Sequence, residues 1–355
     1  MNNAQQEVIA FLARPESYGL PEGPLECIET HGSLIFLLSE RAYKLKRAIA
    51  YAALDFLSLE SRERACRAEL RLNRRTAPNL YLEVRSINRA TGGGLMFGGD
   101  GPVLDWVVVM RRFPQDALFE RMASEGRLSV HWAQALGVEI ARFHAGAEVT
   151  PAFGGALGIR QAIEDNHDEL RRYPQLLDPH SEQALYQASL HALEQLGECL
   201  EWRRAHGRVR RCHGDLRLAN ICLFEGRPTL FDGIEFSERI SCIDVLYDLA
   251  FVLMDLHHHG LPDLAERLLR SYLAHGATGE DCQPLPLFLS LRAGIRCFTQ
   301  ACSAERQREP AARDDRARQA RTLLHQARAY LDGAHAFDAA PPATLPKPAA
   351  RGNPS

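Results

Sequence analysis

The sequence predicts an α+β protein in two lobes, an antiparallel sheet with one helix followed by a mainly helical part. Three observations carry this. Residues 33–49, "SLIFLLSERAYKLKRAI", read as two β-like runs joined by a short polar turn. From Pro114 onward nearly every segment instead places apolar residues at helical spacing. Inside that helical part, residues 213–236, "HGDLRLANICLFEGRPTLFDGIEF", break the pattern as loop, short strand, turn and short strand.

The elements follow in order. After the two strands, "LESRERACRAELRLNRR" mixes apolar residues at helical spacing with alternating charges, an amphipathic helix. "LYLEVRSINRATGGGLMFGGDGPVLDWVVVMRRF" supplies two or three further strands around a glycine-rich turn, for a five-stranded sheet with one helix. No helix follows those glycines, so they read as a hairpin loop and not as a phosphate cradle. The helices then run through "SVHWAQALGVEIARFHAGAE" to "ARQARTLLHQARAYLDGAH". The expected lobes are 1–112 and 113–335, and the Ala- and Pro-rich 336–355 is expected to be a disordered tail.

Composition narrows the function. With 355 residues, 46% hydrophobic and 25% charged, the chain can bury a sizeable core. A formal net charge of −3 provides no whole-protein attraction to nucleic acid or anionic membrane. No apolar run of membrane-spanning length and no leader pattern occurs, so a cytoplasmic location is expected. Nine cysteines without a CxxC pair fit reduced thiols better than disulfides or zinc.

The chemistry lies in the interrupted segment. Asp215, Asn220 five residues later, and Asp232 returned by a β-hairpin bring three oxygen-bearing side chains together. Phosphoryl transfer needs such a set: oxygen ligands for Mg²⁺ and one carboxylate to receive the hydroxyl proton. Asp215 is the expected base, Asn220 and Asp232 the metal ligands, and His213 a brace for the loop. Asp and Asn are also common turn residues, but the hairpin Asp-Gly at the right distance makes chance a poor explanation.

These motifs, His213-x-Asp215-xxxx-Asn220 and Phe231-Asp232-Gly233, resemble the catalytic and metal-binding segments of the protein-kinase-like fold. "HGDL", with Gly where protein kinases have Arg, is similar to the aminoglycoside phosphotransferase and choline kinase branch, which acts on small molecules. "IDVLYDLAFVL", with Asp244 and Asp248, resembles the segment that follows the metal Asp there; both read as structural supports, Asp244 as a helix cap. Over roughly residues 25–300 the chain resembles an uncharacterised bacterial group of this branch. Many of its members continue into a P-loop domain; no GxxxxGK[ST] occurs in these 355 residues, so activity from such a domain is not expected here.

The resemblance implies ATP or GTP as co-substrate, Mg²⁺, and a nucleotide-binding first lobe. Lys44 is the expected phosphate lysine, with Ala42 on the same strand face lining the adenine pocket and Lys46 as the alternative. Glu69 is its expected partner, with Glu63 as the alternative. Gly32 and Ser33 occupy the place of the phosphate-covering loop, though not as a GxGxxG, and Met110 begins the hinge. Asp255, Arg292 and Arg296 are candidates for the acceptor pocket, the two Arg admitting an anionic acceptor. Glu235 could touch metal or substrate or be a solvated hairpin carboxylate. His144 reads as a packed helix histidine, and His257, His258 and His259 as a helix end, since neighbouring helical residues point apart.

The leading function is thus a small-molecule kinase, with a small acceptor as its partner. Two alternatives stay open: a pseudokinase-like nucleotide-binding module, or the same site acting on a protein acceptor or transferring a nucleotidyl group.

Overall fold

Alternation along the strand at 41–46 puts Tyr43 and Leu45 on one face and Ala42, Lys44 and Lys46 on the other, and every one of these residues is buried. Both faces of the sheet must therefore be covered. The computed structural model describes residues 3–20, 23–30, 32–51, 54–276 and 282–333. The tail expected at 336–355 lies outside the described residues.

Helix α1 (Asn3–Leu12) precedes strands β1 (Glu26–Glu29), β2 (Ser33–Leu38) and β3 (Arg41–Lys46). A small ladder of β4 (Ala50–Tyr51) and β5 (Leu54–Asp55) leads to α2 (Leu59–Asn73), then β6 (Tyr81–Arg89), β7 (Leu95–Phe97) and β8 (Val103–Arg111). Six strands form one antiparallel sheet in the order β1, β2, β3, β8, β6, β7. Helix α2 covers one face, where Cys66 meets Leu37, Ala42, Tyr81, Val108 and Met110. Helix α1 covers the other, where Val8 and Leu12 meet Phe36, Tyr43, Leu45 and Val109. Val8 and Leu12 are fully buried, worth about 1.5–3 kcal/mol each.

The expectation of five strands and one helix is corrected to six and two. Strand β7 has three residues and α1 ten, both too short for periodicity to declare them.

The second part holds α3 (Phe119–Ser124), α4 (Val130–Gly146), α5 (Gly155–Leu170) and α6 (Pro179–Ala205). Then come β9 (Val209–Arg211), β10 (Ile221–Phe224), β11 (Arg227–Leu230), α7 (Glu238–Ser241) and β12 (Cys242–Asp244). Helices α8 (Val245–His258), α9 (Pro262–His275), α10 (Leu285–Arg306) and α11 (Pro310–Leu331) complete it. Helix α8 is buried without a break from Val245 to Leu256, as expected of a helix apolar on all sides at the centre of a bundle. No helix among the described residues is long and apolar enough to cross a membrane.

Two small ladders place the interrupted segment on this bundle. β10 and β11 pair through a two-residue turn in which Glu225 (φ 50°) and Gly226 (φ 74°) are both left-handed, the turn that matches strand twist. β12 pairs with β9, setting Asp244 at the N-terminus of α8. There its carboxylate accepts from Leu246 N at 2.8 Å and from Arg203 Nε and Nη2 at 2.7 and 2.8 Å.

Arg203 is fully buried and the Asp244 side chain nearly so. Arg203→Leu would strand the carboxylate, and such losses cost about 3–5 kcal/mol. The urea midpoint of the variant should fall by that equivalent at unchanged slope. A loss below about 1 kcal/mol would mean the pair is not structural.

Candidate active site

The loop after β9 is held by backbone amides. His213 N and Gly214 N donate to the two Asp248 oxygens at 3.0 and 2.9 Å. Leu218 N donates to Asp255 at 3.0 Å. Both acceptors project from α8, so one rigid helix sets the loop from below. Gly214 has φ 85°, and a Cβ there would meet Ile234 and the Ile240 carbonyl at about 3.1 Å, so this position requires glycine.

His213 donates from Nε2 to the Phe231 carbonyl at 2.9 Å, tying the loop to the hairpin. Burial lowers its pKa, which keeps the ring neutral and fits a bracing role. Asn220 Nδ2 donates to both the main-chain oxygen and Oδ2 of Asp215, each at 2.8 Å. Arg217 Nε donates to Asp215 Oδ1 at 2.9 Å. Burial raises the Asp215 pKa, but the charge and hydrogen bond of Arg217, helped by Arg296, hold the group below its ordinary range.

Asp232 lies just past β11 with φ 62°. A non-glycine residue there carries local strain, and two residues of the first part hold it. Asp232 N donates to Tyr81 Oη at 3.1 Å, and Gly233 N donates to Asn73 Oδ1 at 2.8 Å. Asp232 therefore reaches the sheet, where Lys44 Nζ binds Glu69 Oε1 at 2.8 Å and Asp232 Oδ1 at 2.5 Å. Lys46 Nζ binds Glu69 Oε2 at 2.5 Å and pairs with Glu235. Burial works against every one of these charges. Asp232 and Glu69 nevertheless raise Lys44, while the lysines lower Glu69 and Asp232. Glu235 is raised, because its burial outweighs Lys46.

Of the alternatives left open, Glu69 is the buried partner and Glu63 pairs with Arg67 on the surface. Both lysines touch Glu69, and Lys44 also reaches Asp232. Ala42 and Met110 are cross-strand partners on the same buried face. Ser33 opens β2 with its N donating to Thr30 Oγ1 at 3.0 Å, and Gly32 O accepts from Arg47 N.

Four expectations change. Glu235 is buried and paired, not solvated, because the hairpin folds against β3. Asp255 is buried and accepts from Leu218 N beneath the loop. Arg296 faces Asp255 at 4.0 Å. Arg292 does line a cavity, but it stacks on Tyr247 and Phe251, with its guanidinium carbon 3.8 and 4.7 Å from the ring centroids. It donates to the Tyr247 carbonyl at 3.0 Å, so it is not a free anion receptor. That cavity, of about 490 Å³, opens beside Gly214 and Asp215.

His144 packs as expected and also bonds Asp248 at 3.1 Å and Tyr272 Oη at 3.0 Å. His144, Asp248 and Cys212 form a compact trio, yet burial raises the Cys212 thiol well above its ordinary range, a protonated group unsuited to metal. Hard oxygen donors occur instead at Asn220, whose Oδ1 takes no part in the bonds to Asp215, and at Asp232, 43% exposed toward the cleft. This donor set fits Mg²⁺, which uses one or two carboxylates plus phosphate oxygens.

A sheet lobe and a helical lobe meet at a lysine–glutamate pair, a loop carboxylate and a hairpin carboxylate. The chain belongs to the phosphotransferase enzyme family, whose model matches residues 61–285. An uncharacterized protein of Mycobacterium tuberculosis and one of Mycobacterium bovis are each 29% identical to it over 298 residues, 81% of this chain. The chain spans 56% of the length of these relatives. Among solved structures it is similar to a choline kinase from Cryptosporidium parvum, with TM-score 0.54 and 12% identity over 94% of this chain and 96% of that one. A thermostable mutant aminoglycoside phosphotransferase matches with TM-score 0.53 and 16% identity, over 92% and 98%. A GDP complex of an aminoglycoside 2'-phosphotransferase matches with TM-score 0.50 and 13% identity, over 92% and 99%. At these identities the likeness concerns the fold.

The residues not anticipated divide by signal. Arg217 sits two places after Asp215 and was available from the motif itself. Asn73, Tyr81 and Arg203 act across the fold and leave no local mark.

Asp248 yields a pH test. Burial opposes its ionisation, but the bond to His144 and the charge of Arg292 hold it at about 2. Its folded pKa lies below the unfolded one, so its stabilisation is present above about pH 4 and lost as pH falls toward 2. The shift corresponds to roughly 2–3 kcal/mol. Asp248→Asn should flatten the acid limb of the stability curve over that window, read as urea midpoints against pH. An acid limb identical to the parent's would show that Asp248 does not set it.

Proposed function

We propose that the protein transfers the γ-phosphoryl group of ATP or GTP to a hydroxyl of a small molecule, with Asp215 as the base. The observation that carries this is one cleft. Lys44 there bridges Glu69 and Asp232, while Asp215 and Asn220, bonded to each other, lie on the adjoining loop.

Each residue has a task suited to its surroundings. Glu69 keeps Lys44 charged and aimed, ready to pass from Asp232 to a phosphate oxygen. Asn220 and Asp232 would hold Mg²⁺, which supplies charge neutralisation on the phosphates when bound. Asn220 and Arg217 fix both Asp215 oxygens, so the carboxylate is oriented before the acceptor arrives. Because Arg217 keeps Asp215 ionised near neutrality, it can accept the hydroxyl proton as the new bond forms. Gly32 and Ser33 lie where a phosphate cover would sit, and Ala42 and Met110 line the apolar face available to a base.

The kinship with choline and aminoglycoside kinases concerns a fold and a reaction, neither of which selects an acceptor. The GDP-bound relative keeps GTP beside ATP as donor.

Asp215→Ala should lower kcat about 10²–10⁴-fold and leave nucleotide affinity within about twofold, since proton acceptance matters in the transition state and not in binding. Coupled nucleotide-consumption assays and calorimetry measure the two. Undiminished turnover in the variant would remove Asp215 from the mechanism.

A further inference from the structure

The cavity beside Asp215 has properties that separate acceptor classes. It lies between α5, α8, α10 and the segment through α7, and at about 490 Å³ it falls within the roughly 300–1,000 Å³ of small-molecule sites. Its wall is chiefly apolar, with Phe153, Ile234, Ile240, Ile295 and Phe298 around the approach to Asp215.

The carboxylates that line it are already matched. Asp165 pairs with Arg239 and accepts from Gln161 at 3.0 Å. Glu169 pairs with Arg172 at 3.0 Å. Asp244 is clamped by Arg203, and Asp215 by Arg217. A polycation would have to displace Arg partners from every one of them. A quaternary ammonium is held by a cage of aromatic faces, and Arg292 already occupies Tyr247 and Phe251, which leaves Phe153 and Phe298. An anion fares no better, because Arg239 is paired and Arg292 lies 4.0 Å from Asp248 within its two rings. What the wall leaves unmatched is apolar surface.

We propose that the acceptor is a neutral, predominantly apolar alcohol whose hydrocarbon body fills this cavity and whose hydroxyl reaches Asp215. The inference rests on the phosphotransfer reading. The acceptor oxygen forms the new P–O bond as the bond between the γ-phosphorus and the β,γ-bridging oxygen breaks. The nucleoside diphosphate keeps that electron pair, and the hydroxyl proton passes to Asp215.

The test titrates the full chain, with Mg²⁺ and ATP or GTP, against five probes: a C10 cyclic alcohol, a C15 isoprenoid alcohol, choline, an aminoglycoside and a sugar acid. Binding is read by calorimetry and transfer by phosphorylated product, each repeated with Phe298→Lys and Asp215→Ala. Phe298 is half-buried, so a lysine there can reach solvent, and nucleotide affinity reports whether the variant folds. The expected result is binding of a neutral alcohol at least tenfold tighter than any charged probe. Phe298→Lys should weaken it at least tenfold, and transfer should vanish in Asp215→Ala. Tighter binding and transfer of a charged probe would overturn the acceptor class while leaving the phosphotransfer reading intact. Apolar binding with no Asp215-dependent transfer to any probe would overturn the proposal through its premise.

Discussion

A carboxylate removed from water must be held by cations or lose its charge, and Glu69 is fully buried. Two lysines from one strand meet this requirement, Lys44 on one oxygen and Lys46 on the other. Each lysine then has a second carboxylate, Asp232 for Lys44 and Glu235 for Lys46, both from the hairpin of the other lobe. The two lobes are joined by a chain of alternating charge. That chain also fixes the spacing between the sheet, with Ala42 and Met110 on its buried face, and the loop that carries Asp215.

Lys44 bridges Glu69 and Asp232, one carboxylate from each lobe. Below it, Asp248 collects two loop amides and a histidine, and the strained φ of Asp232 is held by Tyr81 and Asn73. Strain placed between two firm supports is a frequent mark of a working residue.

Much of this was legible because some constraints are local. His213, Asp215 and Asn220 lie within eight residues, and a short hairpin returns Asp232. Lys44 followed from strand alternation, once resemblance had assigned the strand. The rest depended on contacts between distant segments. Nothing near Glu235 shows that Lys46, 189 positions away, will bury it. Arg292 reads as a free cation until Tyr247 and Phe251 close over it, and Asp255 reads as a pocket residue until Leu218 takes it. Helix α1 and strand β7 were missed for want of length, although both complete the sheet on which Lys44 stands.

The proposed role of Asp232 is to hold Mg²⁺ beside the nucleotide phosphates. Calorimetric titration with ATP and GTP, in Mg²⁺ and in chelator, tests it most directly when run on the parent and on Asp232→Asn. The account predicts that one nucleotide binds the parent at least tenfold more tightly with Mg²⁺, and that the substitution abolishes the difference. Equal affinity with and without Mg²⁺, or a Mg²⁺ effect that survives Asp232→Asn, would contradict it.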